Sequence, residues 1–168
     1  MKPLTQKTKN LTRGALIAGL YVALTMVSYA VGLDKGVIQL RLSEALAVLP
    51  AVSGAAVPGL FVGCFLSSLL CAGHPLDVLF GSLVTLAAAC VARAMRPLLK
   101  RRFGAVLIAL PNILFNALFI PLLLIFVYGV PDAYFYLFLT VGAGEVITTG
   151  VLGVLLLSVI QRTGHMPE

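Results

Sequence analysis

The chain has 168 residues, 60% of them hydrophobic and only 11% charged, and its mean hydropathy is +1.06. Soluble domains carry roughly 45–50% apolar and 25% charged residues, so this composition excludes an ordinary soluble domain and points to an integral membrane protein. The formal net charge of +6 would suggest nucleic acid in a soluble protein. Here the basic residues sit at the margins of apolar blocks, with no basic strip interleaved with aromatics, so no nucleic-acid partner is expected and the partner surface is the lipid bilayer.

The charge distribution sets the topology. Lys2, Lys7, Lys9 and Arg13 precede the first apolar block, Arg93, Arg96, Lys100, Arg101 and Arg102 divide it from the second, and Arg162 follows. Basic residues collect on the cytoplasmic side, so all three segments, and both termini, are expected there. The expected organisation is a cytoplasmic tail over 1–10, a single domain of six transmembrane helices over 11–161, and a second cytoplasmic tail over 162–168.

The first helix is predicted from Leu11 to Val31. Its apolar run from Gly14 to Val31 exceeds the roughly 7–15 residues of a signal-peptide core, and further apolar segments follow, so it is expected to stay as a membrane helix. Ala15, Gly19 and Ala23 recur every fourth position and form a smooth stripe, with Ala18 beside it, along which another helix can come close. Outside the membrane, the alternation in Val37-Ile38-Gln39-Leu40-Arg41 predicts an extended lid. Ser43 has the chemistry of an N-cap, and Arg41 and Glu44 are spaced to meet as an ion pair at a helix entrance.

A second helix is predicted from Leu42 to Val52, weakened at Pro50. At about 1.5 Å per residue it is too short to cross a roughly 30 Å core upright, so it must be tilted, extended or sheltered by protein. Ser53-Gly54 turns the chain into a third helix, Ala55 to Cys71, in which Gly59 and Gly63 repeat the four-residue small spacing. The outer loop Ala72-Gly73-His74-Pro75 leads to a fourth helix, Leu76 to Ala94, with Asp77 in its first turn, where the helix dipole favours an anion. After the basic loop, the fifth helix spans Ala105 to Val127 and carries Asn112 and Asn116 on one face. Tyr128, Tyr134 and Tyr136 flank the outer turn at Gly129-Val130-Pro131-Asp132, as interfacial aromatics do. The sixth helix is predicted from Ala133 to Ile160.

Glu145 lies about twelve residues, or roughly 18 Å, below the outer start of that helix, near the bilayer midplane. A carboxylate there costs at least about 2.5 kcal/mol and is held by a partner or faces a cavity. Asn112 and Asn116 are the obvious partners, and the three residues together would make a polar floor. Cys64, Cys71 and Cys90 form no CxxC pair and read as buried small side chains, neither disulfides nor metal ligands. There is no HExxH, no GxSxG and no GxxxxGK[ST] phosphate loop, so no metal, cofactor or catalytic residue is expected, and uphill transport would need a partner or an ion gradient.

Three blocks carry a family resemblance: Ile38-Gln39-Leu40-Arg41-Leu42-Ser43-Glu44-Ala45-Leu46; Asp77 followed by Gly81-Ser82-Leu83-Val84-Thr85-Leu86; and Gly142-Ala143-Gly144-Glu145. With them the chain resembles, from about Leu11 to Ile160, the queuosine-precursor transporters of the QueT type, which are substrate-binding S-components of energy-coupling-factor (ECF) transporters. The resemblance implies an all-α membrane subunit of six helices in a bacterial plasma membrane, with an outward-facing pocket covered by the first outer loop. It also implies a partner module of one coupling transmembrane protein and two ATPase subunits, with Ala15, Gly19 and Ala23 in contact with the coupling protein. The implied cargo is a 7-deazaguanine such as preQ0, preQ1 or queuine. The chain departs from the family pattern at Ser68, where an asparagine is expected, and at Pro50.

A guanine-like ring offers N1–H and an exocyclic amine as adjacent donors, which one carboxylate can accept together. The expected substrate-binding residues are Gln39, Arg41, Glu44, Asp77, Asn112, Asn116 and Glu145. Glu145 or Glu44 would take the donor edge, Asn112, Asn116 and Gln39 the other polar atoms, and the outer acids Asp34, Glu44, Asp77 and Asp132 a basic amine. Arg41 would either touch the cargo or hold Glu44 in place, so that the stretch from Gln39 to Glu44 is a gate and Glu145 the floor. The alternatives are an S-component for another vitamin or nucleobase, an intramembrane enzyme pairing Glu145 with Asp77, and a structural subunit with a filled, dry interior.

Overall fold

The computed structural model describes residues 5–33, 38–71 and 74–163. The outer-loop charges Asp34 and Lys35, with Gly36 and Val37, lie outside the described residues, as do Ala72-Gly73, residues 1–4 and the end of the chain from 164, including His165. Every regular element described is helical. Helix 1 is Gln6–Val31, helix 2 Leu42–Ala51, helix 3 Ala56–Cys71, helix 4 Pro75–Ala94, helix 5 Gly104–Phe126 and helix 6 Tyr134–Arg162. Helices 1, 4, 5 and 6 are long and apolar enough to cross a membrane, and helices 2 and 3 are shorter apolar helices. The chain is a multi-pass membrane protein. Its outer surface agrees, since large apolar side chains such as Leu20, Leu70, Leu83, Leu114, Leu155 and Val159 are exposed on every long helix.

Helix 1 begins earlier than its apolar run. It starts at Gln6, where Thr5 and Thr8 are hydrogen bonded side chain to side chain and Gln6 Nε2 donates to Asn10 Oδ1 at 3.3 Å, so polar i,i+4 pairing carries the helix back from the apolar segment. Helix 6 departs from its expected form in the middle. Val146–Gly153 winds as a wider π-helical segment directly after Glu145. The basic loop also has structure, a 3-10 turn over Arg96–Lys100.

Helix 2 is the centre of the bundle, because it touches each of the other five helices. It is a 3-10 helix, closed by bonds such as Glu44 N–H to Arg41 C=O at 3.0 Å and Val52 N–H to Leu49 C=O at 3.0 Å. Ten residues of 3-10 helix reach about 20 Å at roughly 2 Å per residue, which still falls short of the hydrocarbon core. Shelter by protein resolves the sequence-level difficulty. Ser43, Glu44, Leu46, Ala47, Val48, Pro50 and Ala51 are all buried. One core cluster forms around Val48, Ile108 and Leu157, a second around Tyr21, Leu46 and Leu60, and helix 2 contributes to both. The carbonyl of Pro50 accepts a hydrogen bond from Arg93 Nη1 at 3.3 Å.

The close helix contact inside the subunit is between helices 1 and 3. A Cβ placed on Gly59 would lie 2.7 Å from the Gly14 carbonyl oxygen, and one on Gly63 would lie 2.8 Å from Tyr21 Cβ. Glycine lets these backbones pack directly, which in lipid is the main source of helix association. The stripe Ala15, Gly19 and Ala23 takes no part in this contact. All three residues are exposed, and a Cβ on Gly19 would meet nothing within 4 Å, whereas the adjacent Ala18 is buried against helix 3.

Gly63→Ala should therefore lower the thermal stability of the purified protein by about 1–3 kcal/mol through overpacking. Gly19→Ala should leave the melting temperature unchanged, and equal losses for the two variants would contradict this packing.

Candidate functional site

The site is built where helices 1, 2, 5 and 6 converge. Helix 2 places Glu44 one turn inside the bundle, helix 5 supplies Asn112 and Asn116 from one face, and helix 6 supplies Glu145 and Thr149. All are buried. The Tyr21 hydroxyl on helix 1 donates to Glu44 Oε1 at 2.5 Å. Asn112 Nδ2 lies 3.0 Å from Glu44 Oε2 and 3.0 Å from Glu145 Oε2. Asn116 Nδ2 donates to Glu145 Oε1 at 2.8 Å and reaches Glu44 Oε2 at 3.4 Å. Thr149 Oγ1 stands 2.9 Å from Glu145 Oε2 and 3.1 Å from the Glu44 carbonyl oxygen.

Among the described residues, one buried polar side-chain atom has no partner, Asn112 Oδ1. Leaving a carbonyl unpaired away from water costs roughly 1–3 kcal/mol. The amide bears it because its nitrogen faces two carboxyl groups, where charge-assisted bonds are the strongest that an amide can make.

Several sequence expectations change at this point. The N-terminal N–H of helix 2 is capped from another helix, with Leu42 N–H donating to Ser28 Oγ at 2.9 Å. Arg41, not Ser43, is the residue before the helix, and Ser43 lies in its first turn, where its Oγ accepts from Thr25 Oγ1 at 2.8 Å. Glu44 makes its side-chain hydrogen bonds with Tyr21, Asn112 and Asn116. Arg41 is close enough for its charge to act on Glu44 and on Asp77, but it does not form the expected helix-entrance pair. Glu44 thus shares its hydrogen-bond donors with Glu145. The cause is the direct passage from an extended segment into a 3-10 turn, which carries the chain inward within three residues.

Gln39 and Arg41 line both a narrow inner chamber and a wider outer vestibule. The inner chamber, also bounded by Glu44, Asn116 and Glu145, has about 20 Å³ of free volume, little more than one water position. The vestibule has about 330 Å³ and is bounded by Tyr29, Cys71, Asp77, Ile120 and Tyr128 as well. The backbone of Gln39 is held down by helix 6, since a Cβ on Gly144 would collide with the Gln39 carbonyl oxygen. This close approach explains why glycine stands immediately before Glu145.

Asp77 is buried at the vestibule wall and accepts a hydrogen bond from Tyr128 Oη at 2.7 Å. Sequence reading gave Asp77 the helix dipole and a place among the substrate-binding residues and left Tyr128 at the interface, so this pair was missed. Its neighbour His74 caps helix 4, accepting Leu76 N–H at its Nδ1 at 3.3 Å. Tyr21 and Thr149 were missed as well. Tyr21 sits on the helix 1 face that meets helix 3, and Thr149 follows Glu145 by four residues, a spacing that marked Asn112 and Asn116 and could have marked this pair.

A buried polar cluster joined to a vestibule, inside a multi-pass helical bundle, defines a membrane-embedded protein that handles a polar solute. Residues 11–162 match the family model described as QueT transporter, and the chain belongs to that transporter family. Neither a comparison with curated proteins nor one with solved structures finds a match.

Burial, with the hydrogen bond to Asp77 second, raises the ionisation of Tyr128 to a pKa of about 12. The fold therefore favours the neutral phenol. Its contribution to stability is complete below pH about 10, where free tyrosine begins to ionise, and is lost as pH rises through about 12. Ultraviolet titration should show one tyrosine ionising near pH 12, and in Asp77→Asn that step should move down towards the ordinary range. An unmoved step would show that the Asp77 bond does not hold the phenol.

Proposed function

We propose that this chain is the substrate-binding S-component of an ECF transporter for a queuosine precursor, a 7-deazaguanine such as preQ0, preQ1 or queuine. It sits in a bacterial plasma membrane with six crossings and both termini in the cytoplasm. A coupling transmembrane protein and two ATPase subunits drive the cycle, since the chain has no phosphate loop of its own.

The observation that carries this reading is the convergence of Glu44, Glu145, Asn112 and Asn116 beside a chamber that shares Gln39, Arg41 and Ile120 with a vestibule of about 330 Å³. A structural subunit would have no need to keep four such side chains beside an open volume. The N1–H and exocyclic amine of the base form a paired donor edge that suits Glu145 or Glu44. Asn112, Asn116 and Gln39 serve the remaining polar atoms, and Tyr29 and Tyr128 offer flat faces at the vestibule wall. Asp77 and Arg41 complete the set of binding residues. Because the inner chamber is contracted, the ligand enters by the vestibule and opens the space between Arg41 and the floor as it binds.

The exposed stripe of Ala15, Gly19 and Ala23 supports the partner assignment. It is a smooth surface on a helix of which little is buried within the subunit, and the coupling protein packs there.

Purified protein should be stabilised against heat by preQ1 or queuine and not by thiamine, biotin or riboflavin. No response to any deazapurine would remove the substrate assignment. Glu145→Gln or Glu44→Gln should weaken binding by about ten- to a hundredfold, the scale of one lost charge-assisted hydrogen bond of roughly 1.5–3 kcal/mol. If both variants bind with unchanged affinity, the site lies elsewhere. Gly19→Leu should retain ligand binding and lose both co-purification with the coupling protein and cellular uptake.

A further inference from the structure

The floor brings two buried carboxyl groups onto the same neutral donors. Glu44 and Glu145 come from different helices, yet their Oε2 atoms lie 3.0 Å from one and the same nitrogen, Asn112 Nδ2. They are therefore within about 6 Å of each other, in the range where like charges interact strongly. That nitrogen has two hydrogens for three acceptors, the third being Thr149 Oγ1 at 2.9 Å. The single Thr149 hydrogen in turn has two acceptors, Glu145 Oε2 and the Glu44 carbonyl. Asn116 adds two hydrogens, for Glu145 Oε1 and Glu44 Oε2, and Tyr21 one for Glu44 Oε1, so two buried carboxyl groups are served by neutral donors alone.

Among the described residues, the surrounding elements supply little positive charge. Helix 1 brings Tyr21, helix 3 Cys64, helix 4 Asp77 and helix 5 only its neutral asparagines. Arg41 is the cation whose field reaches Glu44 and Glu145, and it faces Asp77 too. One guanidinium thus stands against three carboxyl groups in a space largely closed to water, where an uncompensated charge is costly.

We propose that the empty site holds one proton between Glu44 and Glu145, and that ligand capture releases it. The inference rests on the binding reading above and adds a linked ion to it. The proton removes one of the two facing charges, so that one carboxyl group gives an O–H to its neighbourhood while the other accepts. When the ligand's N–H edge, or a cationic amine on it, takes that place, the carboxylic O–H breaks, the proton leaves through the vestibule to solvent, and the ligand's hydrogens bond both carboxylates. Binding then tightens with rising pH over the range in which the empty pair titrates, by up to about tenfold in Kd per pH unit for one proton.

Two measurements test this. Infrared spectra of the ligand-free protein in lipid nanodiscs at neutral pH should contain the C=O stretch of a buried carboxylic acid, absent from the double variant Glu44→Gln/Glu145→Gln. A missing band, or one that survives in the double variant, would overturn the proposal whatever the ligand is. Calorimetric titration with preQ1 in buffers of differing ionisation enthalpy should show about one proton released per ligand bound. Binding without proton release overturns the exchange, whereas no binding of preQ1, preQ0 or queuine overturns the substrate reading and leaves the infrared result to decide the proton.

Discussion

The structure depends on one constraint, that two buried carboxyl groups from different helices must be satisfied by the same short list of neutral donors. Asn112 and Asn116 on helix 5 bond to both Glu44 and Glu145, and Thr149 ties helix 6 to the backbone of helix 2 at Glu44. In a lipid environment no water stands ready to replace a broken partner, so these bonds fix where helix 2 sits relative to helices 5 and 6. Tyr21 extends the tie to helix 1. The fold and the candidate site are thus held by the same atoms.

That arrangement also explains how a 3-10 helix with an internal proline persists in a membrane protein. Its hydrogen bonds are poorer than those of an α-helix, but its surface is covered by the five other helices, and both its ends are served from outside, by Ser28 at the start and Arg93 near the finish. Helix 1 is the opposite case. It is long enough to span by itself and has little buried surface, and it joins the bundle through the glycine contact with helix 3 and the hydroxyl side of Tyr21, Thr25 and Ser28. Its small-residue stripe is left pointing away.

Much of this was legible in the residues. The apolar blocks and their basic margins gave the membrane class, the pairing of Glu145 with Asn112 and Asn116 followed from their depth and spacing, and the shortness of helix 2 already required shelter. What remained hidden is of one physical kind. Glu44 reads as a helix-entrance acid and a candidate ligand contact, and only the inward turn of the chain shows that it joins Glu145. Tyr21 and the Tyr128–Asp77 pair are contacts between distant segments, and no local period announces them. The 3-10 and π windings, likewise, answer to packing against neighbours, which sequence propensity does not record.

Arg41 borders three separate spaces, the vestibule, the inner chamber and a small hydroxyl-lined pocket beside Tyr21 and Ser68. A long side chain in that position divides the free volume without any backbone of its own having to move. Rearranging the helices would break the carboxyl cluster and belongs to the microsecond-to-millisecond range, whereas a turn of the Arg41 side chain leaves those bonds in place. Space can therefore pass from one chamber to the next while the bundle keeps its shape, with a single side chain as the partition.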